Sequence, residues 1–201
     1  MSEKLPKYTE FESKYRTEIE MLPIFKKIAR SIPNYKYLKV RGPDFFYVKD
    51  EGSFGRYRKS DIEDENGEFF AQWTIKEKQK DAKNNINRFE SNWTVTGTPS
   101  EEIHAGALKM GFKYVGKIIK KCFIFSYDDA TIVFYSVTGN DSDKESHYLE
   151  IEVREDTIDQ LTEEEAWGVI EKYEALLEET GINARKRLKL SLFDMYREDV
   201  K

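Results

Sequence analysis

The chain has 201 residues, 39% of them apolar and 14% aromatic, which suits one domain with a real core and argues against disorder. Charged residues make up 35%, with 33 Lys and Arg against 38 Asp and Glu for a net charge of −5, a balance that disfavours a duplex nucleic-acid binder. The lone cysteine, Cys122, excludes an internal disulfide, no apolar run reaches the ~18 residues of a membrane helix, and the polar stretch 1–7 has no signal-peptide core, so a soluble cytoplasmic protein is expected.

Alternating apolar and polar residues predict a first strand over 8–15. A helix over 18–30 follows, with Pro23 expected to disturb it. Strands over 45–49 and 54–59 flank the turn signal Asp50-Glu51-Gly52-Ser53. Strands over 69–78 and 86–96 come next, separated by a polar run. A helix over 101–110 carries Ser100 as its expected N-cap and Gly111 just past its end. Strands over 113–127, 131–138 and 146–154 complete a set of eight, with a tight hairpin at Asp128-Asp129 and a polar loop over 139–145. The clearest helix spans 163–180, opened by a Thr162 and Glu165 capping box and ended by Gly181. Residues 184–197 are expected to be helical. Helices scattered between and after the strands predict one α+β, β-dominated domain over 1–201.

Residues two apart on a strand share a face. Glu10, Glu12 and Lys14 therefore point one way, and Phe11, Ser13 and Tyr15 the other. Glu150 and Glu152 oppose Leu149, Ile151 and Val153. Arg56 and Arg58 share a face, as do Thr74, Lys76 and Lys78, Arg88, Glu90 and Asn92, and Ile118, Lys120, Cys122 and Ile124. Any one such face reads most simply as solvated sheet. Two Glu-x-Glu pairs, however, set like charges about 7 Å apart. A divalent cation with oxygen ligands relieves that repulsion, and paired arginines and lysines suit phosphate oxygens.

The run Glu10-Phe11-Glu12-Ser13-Lys14 is an ExExK motif, and it resembles the opening of the CYTH family, the triphosphate tunnel metalloenzymes. The later elements follow that family's order: Asp44 to Tyr47 as Asp-x-x-Tyr, Arg56 and Arg58 as Arg-x-Arg, Thr74 and Lys76 as Thr-x-Lys, Arg88 and Glu90 as Arg-x-Glu, the Gly111-Phe112 step, Lys120, and Glu150 and Glu152 as the terminal Glu-x-Glu. A closing segment with Ser191 and Tyr196 echoes the family's last helix. The resemblance implies an eight-stranded antiparallel barrel closed into a tunnel with helices outside. It implies Mg²⁺ or Mn²⁺ held by Glu10, Glu12, Glu150 and Glu152. It implies phosphates held by Lys14, Arg56, Arg58, Lys76, Lys78, Arg88 and Lys120, with Lys14, Arg58, Lys76 and Glu90 taking part in the chemistry.

The function so implied is metal-dependent hydrolysis of a small triphosphate, a nucleotide or an RNA 5′-triphosphate end, by a monomer or homodimer that binds neither duplex nucleic acid nor membrane. The alternatives are an adenylyl cyclase making cyclic AMP from ATP, and a nucleotide-binding protein without turnover. Three positions depart from the family pattern: Cys122 where an arginine is usual, Asn92 for a glutamate, and Tyr135 for an aspartate. Cys122 reads as an inward-facing filler, His104 as a surface or helix-packing residue, and His147 as pointing away from Glu150. Trp73 and Trp93 read as core, and Lys117 and Lys121 as outer-face residues.

Overall fold

The strands and helices below come from a computed structural model that describes residues 8–49, 53–63, 68–77, 89–139 and 145–196. The first predicted strand is split into β1 (Tyr8–Thr9) and β2 (Glu12–Thr17), interrupted at Glu10 and Phe11. Helix α1 (Leu22–Ser31) carries Pro23 in its first turn. There the missing N–H would have had no intrahelical partner, so the expected disturbance does not occur.

Strand β3 (Lys36–Val48) is far longer than the predicted 45–49. It passes so close to β4 (Phe54–Ile62) that a Cβ on Gly42 would lie 1.9 Å from the Lys59 carbonyl oxygen. Strands β5 (Phe69–Glu77) and β6 (Phe89–Thr94) follow. Helix α2 (Ser100–Lys109) is preceded by Pro99 in the capping position, so Ser100 is its first helical residue and not its cap. Gly111 beyond it takes φ 87°, a conformation that favours glycine.

Strands β7 (Lys113–Ser126) and β8 (Ala130–Thr138) form the expected Asp128-Asp129 hairpin, closed by Tyr127 N–H donating to the Ala130 carbonyl at 2.8 Å. After β9 (Glu145–Val153) come the short α3 (Glu155–Ile158) and α4 (Glu163–Leu176), the latter with the predicted Thr162–Glu165 capping box. The helix expected over 184–197 is reduced to a 3₁₀ turn at Ala184–Lys186 and the four-residue α5 (Leu192–Met195). Between them the chain is held by tertiary partners. Arg187 clamps Glu174 through Nε at 2.7 Å and Nη2 at 2.6 Å, Glu174 also accepts from Tyr15 Oη, and the Leu188 N–H donates to the Lys14 carbonyl at 2.7 Å.

All strand pairings are antiparallel, in the order β1-β6-β5-β4-β3-β7-β8-β9-β2. With β1 and β2 counted as one interrupted strand, this is an eight-stranded curled sheet. Its convex face is apolar. Phe25 of α1 is fully buried against Phe125 and Phe134, joined by Ile170 and Tyr173 of α4, and burying one such ring contributes about 1.5–3 kcal/mol. Helix α2 covers Tyr47, Tyr57 and Trp73 through Ala107, with Phe112 beside them. The concave face is mixed: Phe46, Phe54, Leu192 and Phe193 form an apolar end, and the rest is charged. Among the described residues no helix is long and apolar enough to cross a membrane.

Candidate active site

The curl of the sheet gathers the alternating charged positions around one cavity of about 270 Å³. Glu10, Glu12 and Lys14 reach it from the first strand, Arg56 and Arg58 from β4, Lys76 from β5, Glu90 from β6, Lys120 from β7, and Glu150 and Glu152 from β9. These are ten of the twelve predicted site residues; the other two, Lys78 and Arg88, lie outside the described residues. The parity argument holds on the opposite faces too, since Phe11, Tyr15, Leu149, Ile151 and Val153 all enter the convex core.

The charges are sorted by wall. The β2–β9 register sets Glu12 opposite Glu152 and Lys14 opposite Glu150. Lys14 Nζ lies 2.9 Å from Glu12 Oε1 and 3.4 Å from Glu150 Oε2. Across the split strand, Lys76 pairs with Glu10 and sits 2.6 Å from Glu90 Oε2. The facing wall is basic. Arg58 grips Asp44 with two hydrogen bonds of 2.7 Å, and Arg56 donates to Thr74 Oγ1 at 3.2 Å. Lys120 makes no ion pair among the described residues, and its Nζ stands 4.0 Å from the centre of the Tyr135 ring.

Burial sets the titration of these groups. The Glu152 carboxyl is pushed up to about 8 by burial first, then by Glu90, Glu150 and Glu12. Burial and then Glu90 raise Glu10 well above the ordinary range, and burial and then Glu150 raise Glu12. Glu90 goes the other way, to about 2, because Lys76 and Arg56 outweigh its burial. Lys14 and Lys120 similarly outweigh burial to hold Glu150 low. Burial lowers Lys120, with Arg58 adding to the effect.

The residues that depart from the family pattern each have a local account. Tyr135 donates to Glu150 at 2.9 Å and offers its ring to Lys120. Asn92 accepts from Thr74 at 2.7 Å, and Thr74 in turn holds Arg56. Cys122 is buried, with its thiol pushed up by that burial, as suits a neutral filler. His104 lies on α2 with Nδ1 3.3 Å from Tyr47 Oη, and His147 packs near Phe134 on the convex side. Trp73 is core beneath α2.

Asp44, noted in the sequence only as the start of the Asp-x-x-Tyr segment and given no role there, is a cavity residue. Its signal was available: it is cross-strand neighbour to Arg58 and shares that residue's face. It was given no role because the predicted strand began at 45, one residue too late to place Asp44 on the face of Arg58.

The carboxylate wall suits a hard cation by its oxygen chemistry. Glu10 Oε2 is buried and accepts no hydrogen bond, and Glu152 makes no ion pair among the described residues. Among those residues, no three His, Cys, Asp or Glu side chains form a ready-made metal cluster, because Glu10, Glu12 and Glu150 are turned onto lysines. The cavity also has a mouth. A hollow lined by Lys36, Ser126, Arg154 and Asp156 shares Thr131, Glu152 and Glu155 with it. At the apolar end Phe193 stacks on Phe54, with ring centres 4.8 Å apart.

No protein-family model and no curated protein matches the sequence. Solved structures do match in shape. The PH1819 protein of Pyrococcus horikoshii OT3 has a TM-score of 0.70 at 20% identity, over 94% of this chain and 98% of that one. The PH1012 protein of the same organism gives 0.67 at 20% identity, over 96% and 99%. HpAC1 from Hippeastrum, an adenylyl cyclase by name whose dominant activity is given as triphosphatase, gives 0.60 at 14% identity, over 94% and 95%. The likeness is one of fold, and that fold is the CYTH type to which the sequence resemblance pointed.

Proposed function

We propose that this chain is a metal-dependent hydrolase of triphosphate-bearing substrates, working as a single unit in a closed tunnel. The observation that carries the reading is the sorting of one cavity into a wall of carboxylates and a wall of cations, with Lys120 unpaired among the described residues. Tunnel closure is supported by β1 and β2: only two residues apart in the chain, they pair with the opposite ends of the strand order. The dominant triphosphatase activity of HpAC1 favours hydrolysis over cyclisation.

In this reading Glu10, Glu12, Glu150 and Glu152 hold Mg²⁺ or Mn²⁺, which suits an oxygen-only donor set. The bound cation would neutralise developing phosphate charge and activate the attacking water. Turning Glu10 and Glu12 toward the cation frees Lys76 and Lys14 to face phosphate. Arg56, Arg58 and Lys120 then hold the phosphate chain from the other wall, and Asp44 fixes the guanidinium of Arg58 for that contact. Glu90 keeps Lys76 in place. Lys78 and Arg88 are assigned to the same phosphate set by sequence. Phosphoryl transfer asks mainly for such positioning and charge neutralisation.

The test is incubation of the pure protein with tripolyphosphate, thiamine triphosphate, ATP and a 5′-triphosphate RNA, with Mg²⁺ or Mn²⁺ and then with EDTA. Metal-dependent phosphate release is expected. Cyclic AMP as the main product from ATP would move the chain to the cyclase reading, and unchanged ligands would leave only binding.

A further inference from the structure

The convex face next to the cavity mouth carries a charge arrangement that the hydrolase reading does not use. Arg41 of β3 and Lys121 of β7 are direct cross-strand partners. Like charges in that position repel and weaken a sheet. On the same face Lys26 of α1 lies 4.0 Å from the centre of the Phe123 ring, and Lys121 lies 5.8 Å from that ring on its own side. Arg30 of α1 stands over Tyr37, 5.9 Å from its ring centre. Acidic neighbours are present: Asp61 is paired in register with Arg41, and Glu63 forms an ion pair with Lys39. They are outnumbered, so a protein of net charge −5 concentrates positive charge here.

Rings are interleaved with these cations. Tyr35 and Tyr37 are each 38% exposed, although both pack an edge or face on Phe125. Exposed rings between cations suit a flexible polyanion that also has flat groups to stack. The patch leads to the mouth, because Lys36, the residue before Tyr37, lines the hollow that shares Glu152 with the cavity.

We infer that this α1–β3–β7 face binds single-stranded RNA, and that it leads an RNA 5′-triphosphate end into the cavity. The second half of the inference rests on the hydrolase reading; the first half does not. Phosphates of the chain meet Lys26, Arg41 and Lys121, bases stack on Tyr37, and the terminal triphosphate enters past Lys36. An acidic protein would satisfy the cations and leave the tyrosines without a purpose, which is why RNA is favoured.

The experiment uses a fluorescent RNA of about ten nucleotides, within the usual single-strand site size, ending in either a 5′-hydroxyl or a 5′-triphosphate. Anisotropy is measured against salt for the parent, for Lys26→Gln/Arg41→Gln/Lys121→Gln and for Tyr37→Ser, with a thermal melt of each. The 5′-hydroxyl RNA should bind the parent, and the triple variant should lose about two from the slope of log K against log salt, at roughly 0.7 per phosphate contact. Tyr37→Ser should weaken binding about tenfold, within the range for loss of one stacked base. Tripolyphosphate turnover should stay within about twofold of the parent in both variants, because none of these residues lines the cavity. Equal RNA binding by the parent and both variants overturns the inference. So does polyglutamate that binds the parent as tightly as RNA and is unaffected by Tyr37→Ser, since that assigns the face to an acidic protein. RNA binding that depends on this face in a protein with no triphosphate turnover would sink the hydrolase reading and leave the RNA face standing.

Discussion

Replacing Glu152 by glutamine should stabilise the metal-free protein near neutral pH and still abolish turnover. Glu152 sits opposite Glu12 on the neighbouring strand, and its carboxyl is pushed from 4.5 up to about 8 by burial and three other glutamates. Between those two values the folded protein holds a proton that the unfolded chain has released. Its stability is therefore intact below about 4.5 and falls as pH rises toward about 8.

At about 1.36 kcal/mol per pH unit, the span from the unfolded value to neutrality sets a ceiling of about 3 kcal/mol. Glu10 and Glu12 are also raised and compete for the same protons, so an expected gain of ~1–2 kcal/mol is more realistic for the glutamine variant. For a chain of this size that gain raises Tm by roughly 2–8 °C. The assay is a set of thermal melts in EDTA from acid to mildly alkaline pH, repeated with Mg²⁺, beside tripolyphosphate turnover. The advantage of the variant should vanish in acid, and Mg²⁺ should raise the melting point of the parent more than that of the variant. A variant that melts at or below the parent in neutral EDTA would refute the reasoning, because the Glu152 carboxylate would then be a satisfied group.

Arg58→Ala should be costly to the fold as well as to binding. It strips both hydrogen bonds from Asp44, which is 2% exposed, and breaking such a buried pair costs ~3–5 kcal/mol, readable as a lower urea midpoint. Adding Asp44→Asn should recover part of that loss, and no recovery would count against the pairing argument. Lys120→Met is the cleaner probe of phosphate binding, since Lys120 is a buried charge with no ion pair among the described residues; stability should hold or rise while triphosphate affinity falls by about 1.5–3 kcal/mol in a calorimetric titration. Gly42→Ala should part β3 from β4, because the new Cβ would meet the Lys59 carbonyl oxygen at 1.9 Å; a loss of about 3 kcal/mol or more is expected, and an unchanged melt would contradict the close approach.

Much of the cavity was readable from alternation alone. Once Phe11, Tyr15, Ile151 and Val153 are required to face a core, Glu10, Glu12, Lys14, Glu150 and Glu152 have only the other face left. The first half of β3 was not readable, because Gly42-Pro43 looks like a strand breaker and the outer positions Lys39 and Arg41 are as polar as a loop. It is held as a strand by ladders on both sides, to β4 and β7. The segment 184–197 failed for the opposite reason. Its composition permits a helix, but the tertiary bonds of Arg187 and Leu188 are made instead. Local propensity also misjudged Pro23, whose effect depends on its position in the turn and not on its presence.

The bond from the Leu188 N–H to the Lys14 carbonyl has a consequence for the order of folding. Strand β2 is made well before its ladder partner β9 and before the segment around Leu188 that caps its other side. Positions 12, 152 and 188 must all come together, so the assembly is rich in long-range contacts, which slow folding. Until then β2 presents unpaired backbone groups of the kind that recruit a neighbouring chain. Refolding yield should therefore suffer from a shortened or obstructed Leu188 segment before any defect in chemistry is seen. That segment serves first as a cover for a strand edge and only afterwards as part of the cavity's end wall.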